Sequence, residues 1–160
     1  KYHLLNHITL KLKDGTTQVD HILVSRFGVF VIEIKDYKGW IFANSKSSQW
    51  TQVLYKVKHK FQSPLRQNYK HYIEIQKLLD FIPKEHIYSA IVFTGEAEFK
   101  TEVPEGVYNL DQFVRFIKTK NIEVISQNRV QFCVGRLECT RFALTSVTDI
   151  EHRANLENRF

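Results

Sequence analysis

The stretch "VDHILVSRFGVFVIEIKDYKG", residues 19–39, reads as two apolar strands around a tight turn, and it decides the fold. "TQVDHILV" (17–24) is rich in β-branched and large apolar residues, "SRFG" (25–28) is a turn ending in glycine, and "VFVIEIKDY" (29–37) returns. Three charged residues, Asp20, Glu33 and Lys35, interrupt an otherwise apolar pattern. If the loop closes on Val24 and Val29, antiparallel partners have numbers that add to 53, which sets Asp20 opposite Glu33 and Gln18 opposite Lys35. Alternation then places Gln18, Asp20, Glu33 and Lys35 on one face of the hairpin. Asp36 has the opposite parity and falls outside this group.

Two carboxylates opposed across ~5 Å repel one another unless a cation lies between them. An all-oxygen donor set of this kind suits a hard ion, Mg²⁺ or Mn²⁺. A lysine one pleat away can polarise a water or stabilise charge that builds up on a phosphate. That inventory fits metal-assisted phosphodiester hydrolysis. The same three side chains also fit a structural ion pair at a strand end, in which Lys35 neutralises one carboxylate.

Working outward, "YHLLNHITLKL" (2–12) has β-type alternation and "KDGT" (13–16) is a turn. "KGWIFAN" and "SQWTQVLYK" form a second, more exposed hairpin flanked by Trp40 and Trp50, which pack against each other or the sheet. Ser63 and Pro64 open a helix as N-cap and first helical residue, and helical spacing carries it towards Pro83. "IYSAIVFTG" (87–95) is a continuous apolar run, the kind of strand covered on both faces. An acidic loop (96–106), a short strand "VYNL", a helix starting at Asp111 and two more helices at about 126–139 and 146–159 complete the chain. This order predicts an α/β or α+β fold: one mixed sheet flanked by helices, as a single unit over residues 1–160 with its core in about 1–110 and a helical part from about 111.

The net charge of +6 is concentrated. Residues 56–77 hold Lys56, Lys58, Lys60, Arg66, Lys70 and Lys77 against Glu74 alone, a net of +5. A basic stretch in an otherwise neutral chain is what a polyanion-binding face looks like, although a solvated helix face has the same composition. Gln67 and His71 stand four apart on the predicted helix and point the same way, able to orient a phosphate or a water. Tyr69 with Lys70 could stack on bases and hold backbone, while Tyr72 is expected in the core.

No apolar run approaches the roughly 18 residues that span a bilayer, and no signal-peptide pattern opens the chain. Cys133 and Cys139, six apart in a predicted helix, read as two reduced, packed thiols, which suits a cytoplasmic location. There is no Gly-rich phosphate loop or nucleophile elbow, which removes nucleotide triphosphatase and serine-hydrolase readings. The chain has no methionine, so it is expected to be a piece of a longer one.

"VDHILVSRFGVFVIEIKDYKGWI", with a downstream Trp and "SPLRQNYKHY", resembles the nuclease-related domain, NERD, of the PD-(D/E)xK nuclease superfamily. The likeness runs from about residue 3 to 95 and rests on the Asp, the Gly-Val-Phe turn exit, the Glu-x-Lys with its following Lys-Gly, and the Pro-x-x-Gln helix. It implies a restriction-endonuclease-like core, Mg²⁺ or Mn²⁺ as cofactor and nucleic acid, DNA in particular, as partner. Carried over, Asp20, Glu33 and the carbonyl of Ile34 would be metal ligands, Lys35 the catalytic lysine and Gln67 a further active-centre residue. Apart from the resemblance, the charge pattern and helix spacing make Lys56, Lys58, Lys60, Arg66, Lys70 and His71 the expected nucleic-acid-binding residues, and the hairpin register makes Gln18 an accessory one. Members tend to carry a glutamate on a helix before the first strand, and here the chain opens directly in that strand, so upstream residues are expected to complete the acid cluster. Three readings follow: a metal-dependent nuclease, a degenerate nucleic-acid-binding module of the same fold, and a protein-interaction domain in which the acid pair is structural.

Overall fold

A computed structural model describes residues 1–141. Among these residues nine strands run in the order β1 (Tyr2–Leu12), β2 (Gly15–Ser25), β3 (Gly28–Asp36), β4 (Gly39–Phe42), β5 (Gln49–Leu54), β6 (Val57–Gln62), β7 (Ile87–Thr94), β8 (Ala97–Phe99) and β9 (Val107–Asn109). Helix α1 (Pro64–Leu78) lies between β6 and β7, α2 (Leu110–Thr119) follows β9, and a third helix, α3, runs from residue 127 to 141. The helix expected at 146–159 lies outside the described residues.

The strands form the expected mixed sheet and a second sheet beside it. Five strands order as β1-β2-β3-β7-β9, and four as β6-β5-β4-β8. β1, β2 and β3 pair antiparallel, whereas β3–β7 and β7–β9 are parallel, with α1 inside the β3-to-β7 crossover. The architecture is α+β and consistent with a restriction-endonuclease-like core.

The apolar runs are explained by what covers them. On one face of the five-stranded sheet Ile22, Val24, Val29 and Val31 meet Ile75 and Leu79 at the end of α1 and Val130, Cys133 and Leu137 of α3. On the other, Phe30, Ile32 and Val92 pack against Phe113, Phe116 and Ile117 of α2. β3 and β7 are therefore covered on both faces, which is why their sequences lack alternation. Ile41 and Trp50 of the second sheet close over Ile91, Phe93 and Val107. Trp50 is buried there, but Trp40 is half exposed under the Lys100 ammonium, so the two indoles have different surroundings.

The turn between β2 and β3 is tighter than the four-residue loop expected. Ser25 pairs with Gly28, leaving Arg26 and Phe27 as the connection, and the Ser25 hydroxyl accepts from the Phe27 amide at 3.2 Å. Gly28 sits at φ +152°, where a Cβ would lie 2.8 Å from the Tyr88 ring, so glycine is required by both backbone and space.

Several boundaries shift for local reasons. The N-cap of α2 is Asn109 and not Asp111: its side chain accepts from the Gln112 amide while Gln112 accepts from the Asn109 amide. The acidic loop contains β8, which pairs parallel with β4. β6 was not expected, since its hairpin with β5 turns on Tyr55 and Lys56 at φ +51° and +65°, a conformation that costs L-residues roughly 1–2 kcal/mol each. Cys133 is buried as expected, but Cys139 is exposed on α3.

Candidate active site

The β2–β3 ladder runs from Ser25↔Gly28 to His21↔Ile32 in the expected register, and the next residues along are Asp20 and Glu33. The two carboxylates therefore stand just past the last paired residues of the ladder. Glu33 is 4% exposed, buried among apolar strand residues. Its burial, and next the negative charge of Asp20 beside it, push its carboxyl above the usual carboxylate range; Lys35 opposes this in part. Lys35 Nζ lies 3.3 Å from Glu33 Oε1 and donates to Gln67 Oε1 at 3.3 Å. In the ladder Lys35 pairs with Phe93 of β7.

Helix α1 brings the rest. Its buried stripe is Pro64, Asn68, His71 and Ile75, spaced four, three and four along the helix, and the Ser63 hydroxyl caps its start by accepting from the Arg66 amide. Asn68 is fully buried, and its Nδ2 donates to the Val31 carbonyl at 3.0 Å and to Ser89 Oγ at 2.8 Å. That amide ties α1 to both β3 and β7. Gln67, the residue before Asn68, and His71, three residues after it, then face the end of β3.

His71 is 3% exposed, with Nε2 3.0 Å from Thr17 Oγ1 and Nδ1 3.9 Å from Glu33 Oε2. Burial holds the imidazole below its ordinary pKa, hence neutral near pH 7; the Asp20 charge pulls the other way, and the Lys35 charge adds a smaller push down. Nδ1 is buried without a hydrogen-bond partner among the described residues. So buried a side chain belongs to the carboxylate pocket and not among the exposed residues of the basic stretch.

Gln18 is also relocated. It pairs with Thr9 of β1 and is exposed, while its neighbour Thr17 reaches His71. The cause is a break in alternation. Val19 and Ile22 are both buried in the same core, as are their partners Ile8 and Leu5, with Asp20–His21 and Asn6–His7 in between. His7, at φ +55°, is the residue where the β1 strand resets. Counting by twos from Asp20 consequently lands on the wrong neighbour.

The basic residues are exposed, whereas Glu33 and His71 are buried. Lys56 lies at the β5–β6 turn, and Lys58 and Lys60 are exposed on β6. Arg66 and Lys70 are exposed on α1 and line, with Leu65 and Tyr69, a groove of about 540 Å³; Arg66 also donates to the Lys46 carbonyl at 2.9 Å. Ile34 exposes its side chain beside the acid pair. Among the described residues no group of three or more His, Cys, Asp or Glu side chains is gathered closely enough to hold a metal ion alone. Thr17 and Asn68 were not anticipated from sequence. For Asn68 the signal was present, as a polar residue in the sheet-facing stripe of α1; for Thr17 there was none.

The sequence profile of the nuclease-related domain matches residues 1–94. A protein of Bacillus anthracis, described as uncharacterized, is 44% identical over 80 residues, which is 49% of this chain and 38% of the relative. The matched stretch thus spans well under half the relative's length. No solved structure matches the chain. No described helix is long and apolar enough to cross a membrane.

Proposed function

Because the chain belongs to the nuclease-related domain family, of the PD-(D/E)xK-like nuclease class, we propose that it binds nucleic acid and hydrolyses phosphodiester bonds with a divalent cation, Mg²⁺ or Mn²⁺. One observation carries this reading: the buried Glu33 carboxylate, its proton affinity raised by burial and by Asp20, lies 3.3 Å from an ammonium that Gln67 also holds. Burying like charges together is costly, and a pair that invites a cation between them is the chemical reason to keep them.

The donor set fits the ion. Asp20 and Glu33 are hard oxygen ligands on neighbouring strands, with the Ile34 carbonyl as a further candidate, and the partnerless Nδ1 of His71 faces the same carboxylate. When bound, the cation would supply Lewis acidity and a more acidic water. Lys35 offers positive charge where a phosphate gains negative charge in the transition state. Gln67 limits where the Lys35 ammonium can point. His71, neutral and fixed by Thr17, restricts how the Glu33 carboxylate turns. The exposed lysines of β6 and the Arg66 and Lys70 pair would neutralise backbone phosphates. Cleavage forms one P–O bond to the water oxygen and breaks the P–O bond to the leaving sugar oxygen, which takes up a proton.

A second reading is favoured by the double engagement of Lys35. Held by Glu33 and Gln67 together, it also has the geometry of a structural ion pair in a binding module without turnover. Cleavage of a labelled oligonucleotide separates the two. Wild type with Mn²⁺ should cut and EDTA should stop it, while Lys35→Ala should lose most activity. Binding without cutting in Mn²⁺ and in Mg²⁺ would leave the module.

A further inference from the structure

Between Tyr37 and Ile73 the chain carries seven Lys or Arg residues and no Asp or Glu. This uninterrupted cationic stretch forms the β4–β5–β6 hairpins and enters α1. Within it lies the two-residue connection Tyr55–Lys56 between the paired residues Leu54 and Val57. Both connecting residues have positive φ, the signature of the tight hairpin turn that Asn-Gly ordinarily fills without strain. A tyrosine and a lysine there are an unfavourable choice for folding.

Nor does the fold recover anything from the tyrosine. Tyr55 is 87% exposed, and among the described residues it makes no hydrogen bond or ring contact. Val57 beside it is 53% exposed. Tyr69, the other exposed tyrosine of the basic stretch, has the Tyr72 ring 6.2 Å away. β6 is an edge strand, on which Lys58 and Lys60 share one face. A strained turn that presents an unsupported aromatic ring next to a run of lysines points to a ligand with both a flat apolar face and negative charge.

We infer that the Tyr55–Lys56 turn is a base-stacking tip: Tyr55 stacks on an unpaired base while Lys56, Lys58 and Lys60 hold the flanking phosphates, which makes single-stranded nucleic acid the preferred ligand. The inference rests on the nucleic-acid-binding reading above and narrows it. Unpaired bases are the fitting partner because every base offers a π-face at little cost, whereas a ring entering a duplex must first unstack a step. Because β6 continues directly through Ser63 into α1, a strand held at the tip is held by the same segment that carries Gln67 to Lys35.

The test is binding of a short fluorescent single-stranded DNA of mixed sequence, and of the matching duplex, in EDTA so that nothing is cut. Stacking on one base is worth about 5- to 150-fold in affinity. Tyr55→Ala should weaken single-strand binding by at least about fivefold, Tyr55→Phe should keep it, and duplex binding should change much less. The double variant Tyr55→Asn, Lys56→Gly should melt higher than wild type, since it relieves the turn, yet bind the single strand less tightly. Wild-type binding that Tyr55→Ala leaves unchanged, or weakens equally on both DNAs, overturns the tip and leaves the wider reading standing. A double variant that melts lower assigns Tyr55 to the fold and overturns it too. Wild type that binds neither DNA overturns both.

Discussion

His71 Nδ1 faces Glu33 Oε2 across 3.9 Å, while the other ring nitrogen sits 3.0 Å from Thr17 Oγ1. A strand residue that sequence alternation overlooked thus aligns a helix residue with the acid pair. Thr17→Val keeps the shape and removes the bond, which should cost about 1 kcal/mol, or ~2–4 °C in melting temperature for a chain of this size. A melt that does not move would mean the ring is held by packing alone.

Asn68 should matter more to stability than either of its polar neighbours. Replacing it by alanine strips Val31 O and Ser89 Oγ of a buried donor, at about 1–3 kcal/mol. Asn68→Asp should be worse, because it buries a charge next to a backbone carbonyl. Chemical denaturation checks both. An alanine variant as stable as wild type would show that α1 needs no polar tie to β3.

Phosphate contact through the basic stretch predicts a salt signature. Charge reversal at Lys58, Lys60 and Arg66 should flatten the dependence of log affinity on log salt, by about 0.7 per lost contact on a single strand. Titrations over a range of NaCl concentrations measure the slope directly. An unaltered slope would put the contact surface elsewhere.

The two thiols should differ in reactivity. Burial pushes the Cys133 thiol up to about 11, so near pH 8 it carries almost no thiolate and no reagent can reach it, whereas Cys139 is exposed. A maleimide should label one thiol in the native protein and two in denaturant, counted by mass spectrometry. Raising the pH to 9 should still give one, since that remains well below the Cys133 value. Two labels under native conditions would contradict the buried placement.

How much of this could be read from residues alone varies with how local the cause is. The register that brings Asp20 towards Glu33 was legible because Val24 and Val29 bracket a turn, and shortening the loop to Arg26–Phe27 leaves the pairing unchanged. The start of α1 was legible because Ser63 and Pro64 act within one turn. Gln18 was misplaced because the backbone resets at His7, in a different strand, and nothing in residues 17–20 records it. β6 was hidden because its turn lacks the glycine or asparagine that ordinarily marks one, and β8 because three residues carry too little pattern. The single sheet expected became two because β4 finds β8 across more than fifty residues of sequence, a pairing no window can see.

The central claim is that Asp20 and Glu33 share a divalent cation, and thermal melts with and without Mn²⁺ test it most directly. At a hundredfold excess over its Kd, a ligand specific for the folded state adds about 2.7 kcal/mol, or ~5–10 °C for a chain of this size. Wild type should show that rise. Asp20→Asn should lose it and, with the repulsion relieved, melt at or above wild type without metal. Lys35→Ala should keep the rise while losing cleavage, because its role lies in the transition state. If Mn²⁺ moves none of the three, and Lys35→Ala melts lower by stranding the buried Glu33, the cluster is a structural ion pair and the account is wrong.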